Sequence, residues 1–413
     1  MQKPDEQTEW VCLEQESAED APKKKHRRWP AVLAAAAVVC SLSYSILAFS
    51  HIPFIEKWRT IYIETAMGTM THQWLATAFF PQSLIDEVMN SRITLEIQQE
   101  EIISHWEDTG PKKEPDTIVV WEQLESSFFD GYPEIDADSM RQYMQTADEQ
   151  QIFDADGYLM IDAADVDAPP TGIRTIYGDP VCAVDTRNGI VIVALEGSGY
   201  QGRMAMVKNP GQVRLAASRT LGTSGSYIDE LCEQNHAVLG INASGFSDPK
   251  GTGNGGNVFG LVYANGLPVR NILDTSMKVI SLDRENRLNI TNTLPQDARD
   301  AMQFGPALVV NGEALISGSS GWGLQPRAVM GQTADGTILL AVVDGRQPGH
   351  SIGITLGDLT DILYRYGAYQ AGNLDGGSSA ILYYNGRTIT RSSSVTPEQG
   401  RHIPNAWIVK ENP

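Results

Sequence analysis

The feature that most constrains this chain is a run of 21 residues without a charge, Trp29 to Phe49, directly preceded by Lys23, Lys24, Lys25, Arg27 and Arg28. At about 1.5 Å per residue, a helix of that length crosses about 30 Å of hydrocarbon. Basic flanks tend to stay on the cytoplasmic side. The run is therefore expected to be a single-pass membrane anchor. Residues 1–28 would be a disordered cytoplasmic tail, and everything after Ser50 would lie outside. A cleaved signal peptide is the alternative. Ala48 and Ser50 are small enough for a cleavage site, although the apolar core of such a peptide is shorter, about 7–15 residues.

Charge narrows the partners. The formal net charge is −20, which argues against nucleic-acid binding through a broad basic surface. From Glu96 to Asp167 there are twenty acidic residues against three basic ones (Lys112, Lys113 and Arg141). That stretch reads as a solvated segment rather than a catalytic cluster. The four cysteines include no Cys-x-x-Cys pair, so a zinc ribbon or thioredoxin-like site is not expected. Cys12 precedes the apolar run and Cys40 lies within it. Cys182 and Cys232 are left as either an external disulfide or two buried thiols.

Residues 50–170 read as a helical and acidic linker. Trp74, Leu75, Ala78, Phe79, Ile85, Val88 and Met89 recur at helical steps within residues 54–104. Trp58 and Trp74 are expected to pack against the outer domain, with the lipid surface as the other possibility. Pro169-Pro170 marks a boundary, and residues 171–413 form the main domain. Five pairs there signal hairpin turns between β-prone runs: Asn188-Gly189, Asn265-Gly266, Asn311-Gly312, Asp335-Gly336 and Asn385-Gly386. Helices are few. One is expected from Leu356 to Tyr366, N-capped by Thr355 and ended by Gly367, and another over Ser226–Gln234. The fold class is α+β, strand-rich and mostly antiparallel, preceded by one transmembrane helix.

Gly251, Gly253 and Gly256 fit G-x-G-x-x-G, but they lead into a strand rather than a helix, which excludes a dinucleotide fingerprint. No Walker loop, H-E-x-x-H or G-x-S-x-G occurs, and the seven histidines are scattered. No metal site or cofactor is expected, although a divalent metal is left open. Three segments remain in which an acid or amide at a strand end is followed by small residues: 240–248 with Asn242, 342–351 with Asp344 and Arg346, and 372–379 with Asn373, Asp375, Gly376, Gly377 and Ser378. Glycines there let a ligand approach the backbone, and successive N–H groups can cradle an anion.

From Phe304 to Trp407 these landmarks resemble the phosphodiester glycosidase family, whose animal member removes N-acetylglucosamine from a sugar-phosphate diester. The resemblance rests on Phe304-Gly305-Pro306, Asn311-Gly312, Pro326-Arg327, Asp344-Gly345-Arg346, Thr355-Leu356, Asn373-Leu374-Asp375-Gly376-Gly377-Ser378, Arg401 and Asn405. Residues 242–266 match more loosely, and residues 1–170 are not covered. The resemblance implies cleavage of a glycosyl 1-phosphodiester on a cell-surface glycan or exopolysaccharide. Asp375 and Asp344 are then the candidate catalytic carboxylates. Arg346, Arg327 and Arg401 are candidates for the phosphate, which arginine grips with a planar fork. Asn373, Gly376, Gly377, Ser378, Asn242 and Thr355 complete the expected binding set. His350 and His402 are placed at the rim. A non-catalytic polysaccharide-binding module and a membrane partner protein are the competing readings.

Overall fold

A computed structural model describes residues 29–106, 121–148 and 152–412. The expected cytoplasmic tail, with Cys12, and two pieces of the acidic stretch, 107–120 and 149–151, lie outside the described residues. The chain divides into two compact units, one ending at Ile52 and one running from Pro53 to Pro413. In the first, α1 (Trp29–Phe49) is a single apolar helix, long and apolar enough by length and composition to cross a membrane.

The second unit begins with α2 (Pro53–Met67), α3 (Trp74–Thr77) and α4 (Gln82–Gln98), and continues with α5 (Trp121–Gly131) and α6 (Ala137–Thr146). Strands follow: β1 (Met160–Asp162), β2 (Val181–Asp185), β3 (Ile190–Gly197), β4 (Tyr200–Val207) and β5 (Val213–Ala217). After α7 (Ile228–Glu233) come β6 (Ala237–Asn242), β7 (Val262–Ala264), β8 (Leu267–Arg270), β9 (Lys278–Asp283), β10 (Leu288–Thr291) and β11 (Ala298–Phe304). Next are β12 (Ala307–Val310), β13 (Glu313–Ala314), β14 (Arg327–Thr333) and β15 (Ile338–Val343). The last elements are α8 (Leu356–Arg365), β16 (Ala368–Asn373), β17 (Leu382–Tyr384), β18 (Arg387–Thr388) and β19 (Asn405–Lys410).

Among the described residues the strands form three antiparallel sheets. The largest has nine strands in the order β1-β2-β3-β4-β15-β14-β16-β12-β13; the others run β10-β9-β11-β7-β8 and β18-β17-β6-β19-β5. All five expected hairpins are present. Three are two-residue turns in which both residues have positive φ: Asn265-Gly266, Asn311-Gly312 and Asn385-Gly386. That conformation favours asparagine and glycine.

Alternation along the nine-stranded sheet builds two cores. Val191, Val193, Leu339, Ala341 and Val343 face α8, Phe128 of α5, Tyr132 just after it, and Met140 and Met144 of α6. Ile190, Ile192, Ile338, Leu340 and Val342 face the two smaller sheets, where Trp407, Ile241, Leu382 and Ile280 fill the space. The α+β, strand-rich architecture is thus the one expected.

The boundary at Pro169-Pro170 is not. Phe128, Tyr132, Met140, Met144, Leu159 and Ile161 contribute buried apolar side chains to the first core, so the described residues 128–148 and 152–161 belong to the same body as residues 171–412. Nor do Trp58 and Trp74 pack inward, being 50% and 55% exposed. Cys182 and Cys232 are both buried and free, so the disulfide alternative falls.

Candidate active site

The nine-stranded sheet sets the geometry. Strands β15 and β16 are parallel to each other, with β14 antiparallel between them. Asp344 and Asp375 therefore leave the same end of the sheet. Two strand spacings separate their backbones by about 10 Å. Arg327 starts β14 between them, paired with Val343.

The loop after β16 is stitched to the end of β6. The Asp375 N–H donates to the carbonyl of Ala243 at 2.9 Å, and Asn242 Nδ2 donates to the carbonyl of Asp375 at 2.6 Å. The site thus forms where the large sheet meets the β18-β17-β6-β19-β5 sheet. Gly376 and Gly377 let the loop turn here. A Cβ on Gly376 would stand 2.7 Å from the Pro326 carbonyl oxygen, and Gly377 has φ +60°.

Four charged side chains converge on this loop. Burial pushes the Asp375 carboxyl up to about 7, against a hydrogen bond from Ser379 and the attraction of Arg401; Asp248 adds to the rise and Arg346 opposes it. Arg401 Nη1 donates to Asp248 at 2.6 Å and to Ser378 Oγ at 2.9 Å, Nη2 donates to the Gly253 carbonyl at 2.7 Å, and the guanidinium lies 4.7 Å from the centre of the Phe246 ring. The glycine-rich segment that mimicked a nucleotide fingerprint is therefore a seat for the Arg401–Asp248 pair.

Arg346 behaves differently. Its Nε and Nη2 both donate to Oε1 of Gln325, at 2.9 and 2.5 Å. Among the described residues it forms no ion pair; burial lowers its pKa, opposed by the nearby Asp375. Its backbone has φ +59°, which is uncommon for a residue with a side chain and marks local strain.

Asp344 is buried. Its Oδ2 pairs with His350 Nε2 at 2.7 Å and its Oδ1 accepts the N–H of Arg391 at 3.0 Å. Desolvation raises its pKa, opposed by the bond to His350. Ser392, the next residue, donates to the carbonyl of Ser378 at 2.8 Å, so residues 391–392 join the two aspartate loops. Asn373 Nδ2 donates to the Gly305 carbonyl at 2.9 Å, and its buried Oδ1 has no hydrogen-bond partner among the described residues.

Asp375, Arg346, Arg401, Ser378, Gly376, Gly377 and Asn242 are thus brought together, with Asp344 and Asn373 at adjoining strand ends. Two expectations do not fit. Arg327 is buried, and its Nη2 donates to the carbonyls of Trp322 and Gly323 at 2.9 and 3.0 Å; it holds a loop instead of facing a ligand. Burial lowers its pKa to about 9, helped by the nearby Arg346. Thr355 Oγ1 accepts the N–H of Asp358 at 3.1 Å and donates to its carboxylate at 2.7 Å, so it caps α8. It lines a different cleft, of about 710 Å³, with Trp58, Tyr200 and Ile352. Asn242 also serves the backbone, since its Oδ1 accepts the N–H of Ile381 at 3.1 Å.

Asp248, Ser379 and Gln325 escaped sequence reasoning. Asp248 stood in one of the three polar segments, and only its pairing with Arg401 singles it out. No group of three or more His, Cys, Asp or Glu among the described residues has an arrangement that would hold a metal ion.

Residues 235–410 match the model of a family described as phosphodiester glycosidase, which bears out the resemblance over that segment. YomE, an uncharacterized prophage-derived protein of Bacillus subtilis (strain 168), is 28% identical over 189 residues, covering 41% of this chain and 28% of the relative. The chain thus spans under a third of that relative's length. Among solved structures, the catalytic domain of zebrafish N-acetylglucosamine-1-phosphodiester alpha-N-acetylglucosaminidase, auto-inhibited by its pro-peptide, aligns with a TM-score of 0.45 and 18% identity, covering 54% of this chain and 82% of that one. A hypothetical protein from Synechocystis aligns with a TM-score of 0.42 and 15% identity, covering 57% and 65%.

Proposed function

We propose that this chain, whose residues 235–410 match the phosphodiester glycosidase family, hydrolyses a glycosyl 1-phosphodiester in a cell-surface or exopolysaccharide glycan. The observation that carries the reading is the pairing of two unusual groups. Asp375 has a pKa raised to about 7, and the neighbouring Arg346 is held by a neutral amide without an ion-pair partner among the described residues. An arginine whose charge no ion pair neutralises suits the single negative charge of a phosphodiester. A carboxylate beside it suits the anomeric carbon, where an oxocarbenium-like state develops.

In this reading Asp375 acts as the ionised nucleophile or base, and Arg346 and Arg401 bind the phosphate. Ser378 and Ser379 hold Arg401 and Asp375 in place. Asp344, locked to His350, supports the neighbouring loop or supplies the second carboxylate. The bond from the anomeric carbon to the bridging oxygen breaks, water's oxygen ends on that carbon, and a phosphomonoester departs. Phosphate is a fair leaving group, so little acid assistance is required.

Helix α1 would anchor the chain as a single pass with the catalytic domain outside the cytoplasm. Protease added to spheroplasts should then degrade the region after Ser50; full protection would contradict this topology. The reaction is tested by incubating the protein with glycosyl phosphodiesters and separating free sugar from sugar phosphate. Free sugar is expected. Binding of the glycan without release of either product would favour a non-catalytic binding module.

A further inference from the structure

We propose that Gln325 is a positioning residue for Arg346, and that helix α2, outside the family-matched segment, holds Gln325 in place. The proposal rests on the reading that Arg346 binds the phosphodiester.

A glutamine amide has one acceptor atom and one donor group, and here they face opposite ways. Oε1 accepts both bonds from Arg346, and Nε2 donates to the backbone carbonyl of Thr65 in α2 at 2.9 Å. Flipping the amide would set its NH₂ against a guanidinium and its oxygen against a carbonyl. The pattern therefore admits one orientation. Gln325 is buried, and its backbone exchanges hydrogen bonds with Ile354 at 3.3 and 3.1 Å, so only the side chain is free to adjust.

Helix α2 grips the same loop at further points. Thr65 Oγ1 accepts the N–H of Leu324 at 2.9 Å, and Glu64 Oε1 accepts the N–H of Gly321 at 2.8 Å. Gly323 lies against the helix backbone, where a Cβ would stand 2.4 Å from the Thr65 nitrogen. From the other direction, Arg327 donates to the carbonyls of Trp322 and Gly323. Loop 321–325 is thus clamped between α2 and Arg327, and Gln325 at its end transmits that fixed position to Arg346.

The neutrality of the acceptor matters. A carboxylate in place of Gln325 would hold Arg346 as firmly but cancel the charge that a phosphodiester requires. An amide fixes the fork and leaves the charge free.

The test uses the full-length protein in detergent, with steady-state kinetics on a glycosyl 1-phosphodiester and thermal unfolding as the folding control. Gln325→Leu keeps the size and removes both hydrogen-bonding ends. KM should rise about tenfold or more, the scale of a lost charge-assisted hydrogen bond, while kcat stays within about threefold. Gly323→Ala touches neither Arg346 nor Gln325 but pushes α2 off the loop, and KM should rise with it too. The double variant should be no worse than the worse single variant, because both break one path. If Gly323→Ala does not fold, Thr65→Ala takes its place, with a smaller rise in KM expected.

A folded Gln325→Leu variant with wild-type KM, a loss confined to kcat, or full additivity would each overturn the proposal. The two readings separate on a second measurement, calorimetric binding of a glycosyl methylphosphonate. Wild-type protein that turns over nothing, yet binds this probe more tightly than Gln325→Leu does, would sink the reaction and leave the positioning role standing.

Discussion

Asn242 brackets the Asp375 loop at both ends: its Nδ2 donates to the carbonyl of Asp375 at 2.6 Å, and its Oδ1 accepts the N–H of Ile381 at 3.1 Å. One buried amide at the end of β6 thus fixes where a loop of the large sheet can sit. Asn242→Ala leaves both backbone groups without these partners. It should cost about 1–3 kcal/mol of stability, the usual penalty for unmet buried hydrogen bonds. Urea unfolding measures the loss, and an unchanged midpoint would show that the loop holds itself.

The raised pKa of Asp375 has a consequence for stability. Unfolded, the carboxyl titrates at its ordinary value of 3.8; folded, it is pushed up to about 7. Between these values the folded form keeps a proton that the unfolded form has lost. This group's contribution therefore falls as pH rises from about 4 to about 7, and is flat beyond. Asp375→Asn removes that penalty. The variant should melt higher than wild type at pH 7.5 and close to it at pH 3.5. An equal difference at both pH values would contradict the shift.

His350 was placed at the rim from sequence, yet it is a partner of a buried carboxylate, 2.7 Å from Asp344 Oδ2. His350→Ala should destabilise the protein by about 1–3 kcal/mol, because it strips a partner from a desolvated acid. His350→Gln can still donate from its amide and should recover part of the loss. Denaturant midpoints of the two variants decide the matter; equal midpoints would show that the pairing is incidental.

Arg346→Lys keeps a positive charge but loses the two-pronged fork. Nε and Nη2 now share one acceptor on Gln325, and a single ammonium cannot reproduce both bonds and also reach the phosphate. The expected result is a raised KM with kcat largely preserved, since such a contact serves ground and transition states alike. A fall in kcat at constant KM would instead give Arg346 a role confined to the transition state.

Much of the β architecture was legible because its turns are chemically explicit. Asn265-Gly266, Asn311-Gly312 and Asn385-Gly386 adopt positive φ at both residues, a demand that few pairs meet. The helix cap at Thr355 was legible for a similar reason. The domain boundary was hidden. Phe128, Tyr132, Met140 and Met144 are buried, but they lie in a segment whose acidic composition reads as solvated, and charge on an outer face says nothing of the inner one. The three arginines looked alike because strand-end position does not tell which way a guanidinium turns. Arg327 turns to carbonyls of its own loop, Arg401 to Asp248 and Arg346 to a neutral amide. Gln325 gave no signal, since its importance depends on residues 21 and 260 positions away, Arg346 and Thr65.

The central claim is that ionised Asp375 acts on the anomeric carbon of a phosphodiester held by Arg346. The most direct measurement is the pH dependence of kcat/KM for wild type and Asp375→Asn on a glycosyl 1-phosphodiester, with circular dichroism to confirm folding. Wild type should show an acid limb near pH 7, where Asp375 loses its proton. The well-folded variant should be slower by about a hundredfold or more, the scale of a lost base or nucleophile. Near-normal turnover by Asp375→Asn would contradict the account.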